Sequence, residues 1–173
     1  MDIDNAAVRS LSQRLDRLEA QVALHRLAHE YCIGADERDR DRWAAVWTPD
    51  ASWETSPDRT FTGVQNICAA VQAQWDAFPI MQHATSNHVV DIEGDHASGR
   101  ADVTVMVQRG DGRWIVGGAT YEDAYQRESG VWRIASRRVV RPFDLAPLAP
   151  SEGAIYIDDD EVVGLPSEDA DLR

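Results

Sequence analysis

Residues 81–93 read Met-Gln-His-Ala-Thr-Ser-Asn-His-Val-Val-Asp-Ile-Glu, and here the apolar pattern changes its period from 3.6 residues to 2. Upstream, Val8, Leu11, Leu15, Leu18 and Val22 recur at three and four residues, and Leu24, Leu27, Ala28 and Tyr31 continue the stripe. That spacing predicts one long amphipathic helix ending near Gly34. A short helix over 41–47, stopped by Pro49, a brief strand around Trp53 and a helix over 63–78 follow. The last has Val64, Ile67, Cys68, Val71 and Trp75 on one face and is closed by Pro79.

Downstream of the change, strands are expected near 81–93, 98–109, 113–127 and 131–141. Glu93-Gly-Asp, Gly110-Asp-Gly and Glu128-Ser-Gly are the turns, rich in residues that accept positive φ. Helices first and then an antiparallel meander predict an α+β fold, with helices packed on one face of a curved sheet. Residues 1–141 read as a single domain whose first 14 residues form a helical arm, charged enough to cross a neighbouring subunit. Residues 142–173 read as an acidic, proline-containing tail.

The formal charge of −13 is concentrated at that end. From Phe143 onward nine acidic residues face one arginine, so the tail carries −8 and the body −5. A nucleic-acid partner is disfavoured, since phosphates demand a basic face. No stretch approaches the ~20 apolar residues of a membrane span, and the first residues lack the pattern of a signal peptide. Cys32 and Cys68 have no metal spacing and read as small buried hydrophobes, so the expected setting is a reducing cytoplasm.

The chemistry-bearing candidates are His83 and Asp36, far apart in sequence and each beside an apolar stretch. An imidazole titrates near neutral pH, and a carboxylate on its other nitrogen fixes the tautomer and stabilises the imidazolium. The plainer alternative is a hydrogen-bonded core or edge histidine and a helix-end aspartate. Strict alternation would put His83, Thr85 and Asn87 on one face of their strand. Asp102, Tyr121 and one of Arg137 and Arg138 on inner positions would add polar groups to an apolar cavity, the usual form of a small-molecule site. Periodicity does not choose between the two arginines. His25 and His29 are four apart, but the run His-Arg-Leu-Ala-His lacks the glutamate of a metalloprotease helix and a third ligand, so no metal is expected. Gly117-Gly118 lies inside a strand and reads as a bend or bulge, not a phosphate loop.

Taken in order, the motifs are Ile33-Gly-Ala-Asp36, Trp43-Ala-Ala-Val-Trp47, Pro49-Asp-Ala-Ser-Trp53, Met81-Gln-His83-Ala-Thr-Ser-Asn87, Gly117-Gly-Ala-Thr-Tyr121-Glu-Asp-Ala-Tyr125 and Gly130-Val-Trp132-Arg-Ile. Over roughly residues 15–141 this set resembles the SnoaL-like branch of the NTF2-like superfamily. The resemblance implies a cone-shaped curved sheet whose open end holds a small molecule. Within the branch the chain is similar to scytalone dehydratases, bile-acid 7α-dehydratases and hexachlorocyclohexane dehydrochlorinases, which carry out eliminations with a His–Asp dyad and no cofactor. Asp36 and His83 match that dyad, and Trp53, Asn87 and Arg137 match pocket positions of the dehydrochlorinase. Tyr31 stands where that enzyme has a lysine, which counts against halide elimination. With an aspartate near Asp102, it is similar to the bile-acid dehydratase arrangement.

The expectation is thus a cofactor-independent lyase of the dehydratase type acting on a hydrophobic, oxygenated ring compound, steroid-like or polyketide-like. Asp36, His83 and Tyr31 would be catalytic; Trp53, Asn87, Asp102, Tyr121 and Arg137 would bind substrate. The same branch also holds polyketide cyclases, isomerase-like chemistry is compatible with the same pair, and oxygenase small subunits share the fold without catalysis. The N-terminal heptads point to a homo-oligomer, a trimer or a dimer.

Overall fold

The computed structural model describes residues 2–147, and side chains over 5–143. The elements are α1 (Asp2–Asp36), α2 (Arg40–Ala45), β1 (Trp47–Ser56), β2 (Arg59–Thr62), α3 (Val64–Ala77), β3 (Ile80–Glu93), β4 (His96–Gln108), β5 (Trp114–Glu128) and β6 (Val131–Pro147). The six strands form one curved, unclosed sheet in the order β2-β1-β6-β5-β4-β3, and α1 and α3 lie against its inner face. The α+β expectation and the four-strand meander both hold.

Local chemistry accounts for the joints. The β3–β4 hairpin turns on Gly94 (φ 61°), between the paired Glu93 and His96. The β5–β6 hairpin turns on Ser129 and Gly130, both at positive φ (50° and 79°), the requirement of a type I′ turn. Asp39 caps α2 by accepting the Arg42 amide at 3.0 Å. Gly34 lets α2 fold back tightly, because a Cβ there would lie 2.9 Å from the Trp43 amide nitrogen.

Three features depart from the sequence reading. Helix α2 stops at Ala45, so Trp47 and Pro49 belong to β1, which pairs with β2 and runs parallel to β6. Local periodicity carries no trace of such a distant pairing. Strand β6 continues through Pro142 to Pro147, six residues beyond the end expected for the last strand. Finally, strict alternation fails at bulges. One in β3, between Ser86 and Val89, has Asn87 in the left-handed region (φ 52°), which Asn tolerates better than most residues. His83 and Thr85 therefore face inward, Asn87 faces out, and His88, Val90 and Ile92 face inward again. A second, opposite Ala124 and Tyr125, does the same in β6, turning Trp132, Ile134 and Arg137 all to the core and leaving Arg138 exposed beside Glu122.

The inner face packs Trp43, Trp47, Trp53, Trp75, Ile67, Val71, Leu24 and Ile134 into one core. Both cysteines are buried free thiols. Among the described residues no helix is long and apolar enough to cross a membrane. The acidic tail beyond residue 147 lies outside the described residues.

Gly117-Gly118 meets the expectation of a bulge: the β5–β6 register shifts on both sides of Gly118. A Cβ at Gly118 would sit 2.2 Å from the Phe143 ring and 2.5 Å from the Val103 carbonyl oxygen. Overpacking of that kind costs about 1–3 kcal/mol. Gly118→Ala should lose that much in urea unfolding, and adding Phe143→Ala should return only part, since the backbone carbonyl cannot move away. An unchanged midpoint, or full rescue, would show the contact to be soft.

Candidate active site

Asp36 is the last residue of α1, and its position is fixed by the neighbouring helix. The Trp75 indole N–H donates to the Ala35 carbonyl (2.7 Å), and the Arg38 guanidinium donates to the carbonyls of Trp75, Phe78 and Pro79 (2.8–2.9 Å). Arg38 takes φ 58° to do so. The C-terminal ends of α1 and α3 are thereby tied together over the start of β3.

There the Asp36 carboxylate meets His83 twice. Oδ1 lies 2.5 Å from His83 Nδ1, and Oδ2 accepts the His83 backbone N–H at 2.8 Å. The two side chains are 10% and 15% exposed, so the pair is shielded without being sealed. A proton held on Nδ1 by the carboxylate leaves the Nε2 lone pair free, which is the arrangement a general base requires.

His83 lines an inner cavity of about 270 Å³, together with Tyr31, Trp53, Tyr121, Phe143 and the valines 103, 105 and 107. Larger depressions on the sheet and beside α3 are not lined by either dyad residue. Behind Tyr31 and Tyr121 lies Arg137, its guanidinium carbon 4.0 Å from each ring centroid. Nε and Nη2 donate to the two oxygens of Asp123 (2.8 and 2.7 Å), and both side chains are almost fully buried. Burial opposes the arginine's charge, but Asp123 and the tyrosines more than offset it and hold Arg137 above its ordinary range. Burial raises Tyr31 and lifts Tyr121 well above the usual phenol, so both are neutral hydroxyls at physiological pH.

The network continues away from the cavity. The Tyr125 hydroxyl donates to Asp123 (2.7 Å), His88 Nε2 lies 3.1 Å from that hydroxyl, and the His25 ring packs 4.8 Å from His88. Burial, then the neighbouring His25, lowers the His88 pKa. Among the described residues no group of three or more His, Cys, Asp or Glu is arranged to hold a metal.

Six of the eight residues singled out from sequence therefore converge: His83, Tyr31, Trp53 and Tyr121 in the cavity wall, Asp36 and Arg137 immediately behind it. Asn87 and Asp102 do not join them. The Asn87 amide donates to Asp102 (2.9 Å), as does the Thr120 hydroxyl (2.8 Å), in a clamp that fastens the β3 bulge across β4 and β5. Those two bonds lower the Asp102 pKa. Sequence reasoning also missed Asp123, whose signal was present in the alternation Tyr121-Asp123-Tyr125, and Phe143, hidden by the supposed end of the domain.

Residues 16–138 match the model of the SnoaL-like domain. The gamma-hexachlorocyclohexane dehydrochlorinase of Sphingobium indicum is 28% identical over 138 residues, which cover 78% of this chain and 88% of that protein. An uncharacterised protein of Mycobacterium tuberculosis is 31% identical over 135 residues, covering 74% and 86%. The crystal structure of a type 2 hexachlorocyclohexane dehydrochlorinase superposes with a TM-score of 0.73 at 26% identity, covering 79% of this chain and 93% of that one. A scytalone dehydratase-like protein of Novosphingobium aromaticivorans, at 20% identity and a TM-score of 0.71 (76% and 89% covered), shares the fold. The match over most of the described body and the common architecture make this chain a member of the SnoaL-like domain family of the NTF2-like superfamily.

Proposed function

We propose that the chain is a cofactor-free lyase that removes water from a small, hydrophobic, oxygenated ring compound, with His83 and Asp36 as its base and positioning carboxylate. The observation that carries this reading is the double contact of Asp36 with the His83 ring and backbone, beside an apolar cavity. In the reaction His83 Nε2 takes a proton from a carbon next to a carbonyl. The electron pair forms the new C=C bond and the C–O bond to the hydroxyl breaks. Tyr31, neutral through burial, gives its proton to the departing oxygen, so that water leaves. The proton on His83 then returns to the tyrosinate through solvent. Arg137, 4.0 Å behind the Tyr31 ring, stabilises the transient negative charge.

Tyr31 also favours water over halide as the leaving group. A halide departs as a stable anion and needs no proton, whereas hydroxide is a poor leaving group unless protonated. The cavity volume narrows the substrate further. At about 270 Å³ it lies at the small end of ordinary ligand pockets, about 300–1,000 Å³, which favours a small ring compound. Relatives of this chain include dehydrochlorinases of hexachlorocyclohexane, a one-ring compound by name, and this supports the same scale of ligand.

Two predictions follow from these roles. On a β-hydroxy ring ketone that is turned over, His83→Ala should lower kcat/KM by about 10²–10⁴-fold and Asp36→Asn by about 10²-fold. Thermal unfolding would establish that both remain folded; full activity of folded His83→Ala would sink the proposal. Tyr31→Phe should separate leaving groups. It should slow loss of water by roughly a hundredfold, while loss of chloride from a matched substrate changes little. Equal effects on both would remove Tyr31 from the role of acid.

A further inference from the structure

Helix α1 has two apolar faces, and among the described residues only one is covered. Ala20, Leu24, Leu27, Ala28 and Tyr31 are buried against the sheet. Val8, Leu11, Leu15, Leu18 and Val22 are 56–69% exposed. At 100° per residue the exposed set lies in one narrow stripe, roughly opposite the buried set. Its intervals of 3, 4, 3 and 4 are those of heptad positions a and d, and the stripe closes on His25 and His29.

We propose that this stripe pairs with the same stripe of a second copy as a parallel, two-stranded coiled coil. Three observations select that occupant. The a positions are Val8, Leu15 and Val22 and the d positions Leu11 and Leu18; β-branched residues at a with leucine at d favour two strands. The flanks are complementary in parallel register: Arg14 at g faces Glu19 at e of the partner helix, Ala7 faces Ser12 and Gln21 faces Arg26, with no like charges opposed. The helix is also ordered in advance. Arg127 bonds Asp16 and Asp95 at 2.7 Å each, fastening α1 to the β3–β4 hairpin midway along its length. Residues from Asp16 onward are thus held helical by their own domain, which removes the nucleation cost that makes short isolated helices marginal. Because the stripe points away from the sheet, a partner helix approaches from solvent and both domain bodies remain outside the helix pair.

Sedimentation equilibrium of the intact chain tests this. A dimer is expected at micromolar concentration, and Leu15→Lys with Leu18→Lys should convert it to a monomer while the circular dichroism of the folded body persists. The register is tested separately by charge. Arg14→Glu opposes two glutamates at two symmetric sites and should raise the dimer Kd by roughly tenfold; adding Glu19→Arg should restore it. A monomeric intact chain, a mass unaffected by the two lysines, or a double reversal that fails to restore association would each overturn the proposal.

Discussion

The contact on which the interior depends is the buried pair of Arg137 and Asp123. It is bidentate, almost fully removed from solvent, and stacked between the rings of Tyr31 and Tyr121 at 4.0 Å. One guanidinium therefore binds β6 to β5 and to α1 at the point where the cavity begins. An ion at that depth is costly unless every partner is present, and removing one partner of such a pair typically costs about 3–5 kcal/mol. Among the described residues Nη1 of Arg137 has no hydrogen-bond acceptor; flat stacking on two phenol rings, possible for the planar and weakly hydrated guanidinium but not for an ammonium, covers the rest of the group. A hydrophobic residue of similar volume could hold the strands together. It could not hold a positive charge behind two neutral hydroxyls that line a cavity, and this gives the pair a reason to exist that packing alone does not.

Helix α1 links that interior to the surface. Its C-terminal turns supply Tyr31 and Asp36, the first stacked on Arg137 and the second locked to His83. Its N-terminal half presents an exposed apolar stripe and, through Asp16, a bond to Arg127. The same helix thus carries a cavity wall at one end and an exposed apolar stripe at the other. Between them, Arg127 fixes the helix to the hairpin that begins with β3, the strand of His83.

How much of this was legible in the sequence depends on whether a side chain obeys its local period. The 3.6-residue stripe gave α1 and α3 nearly to the residue, and the glycine-rich turns gave the hairpins. Long-range pairing was not legible: β1 joins β6 in parallel across more than eighty intervening residues, and nothing in Trp47–Ser56 announces its partner. His83 and Asp36 were readable because each is the expected chemical type beside an apolar segment.

The side chains placed on the wrong face share one physical cause, and it bears on how the site is made. A period of 2 holds only while a ladder is unbroken, and a bulge inserts one residue and reverses every face beyond it. The β3 bulge takes Asn87 out of the cavity and joins it to Asp102, while turning His88 inward to Tyr125. The β6 bulge turns Arg137 inward where unbroken alternation from Trp132 and Ile134 would have delivered Arg138. A further shift beside Gly118 leaves Phe143 against the glycine and in the cavity wall. The charged centre behind the cavity and the aromatic end of its wall are both products of broken register. A sheet with perfect alternation would have put Arg138, rather than Arg137, on the face of the two tyrosines, and so the irregular positions are the ones that distinguish this cavity from an ordinary apolar core.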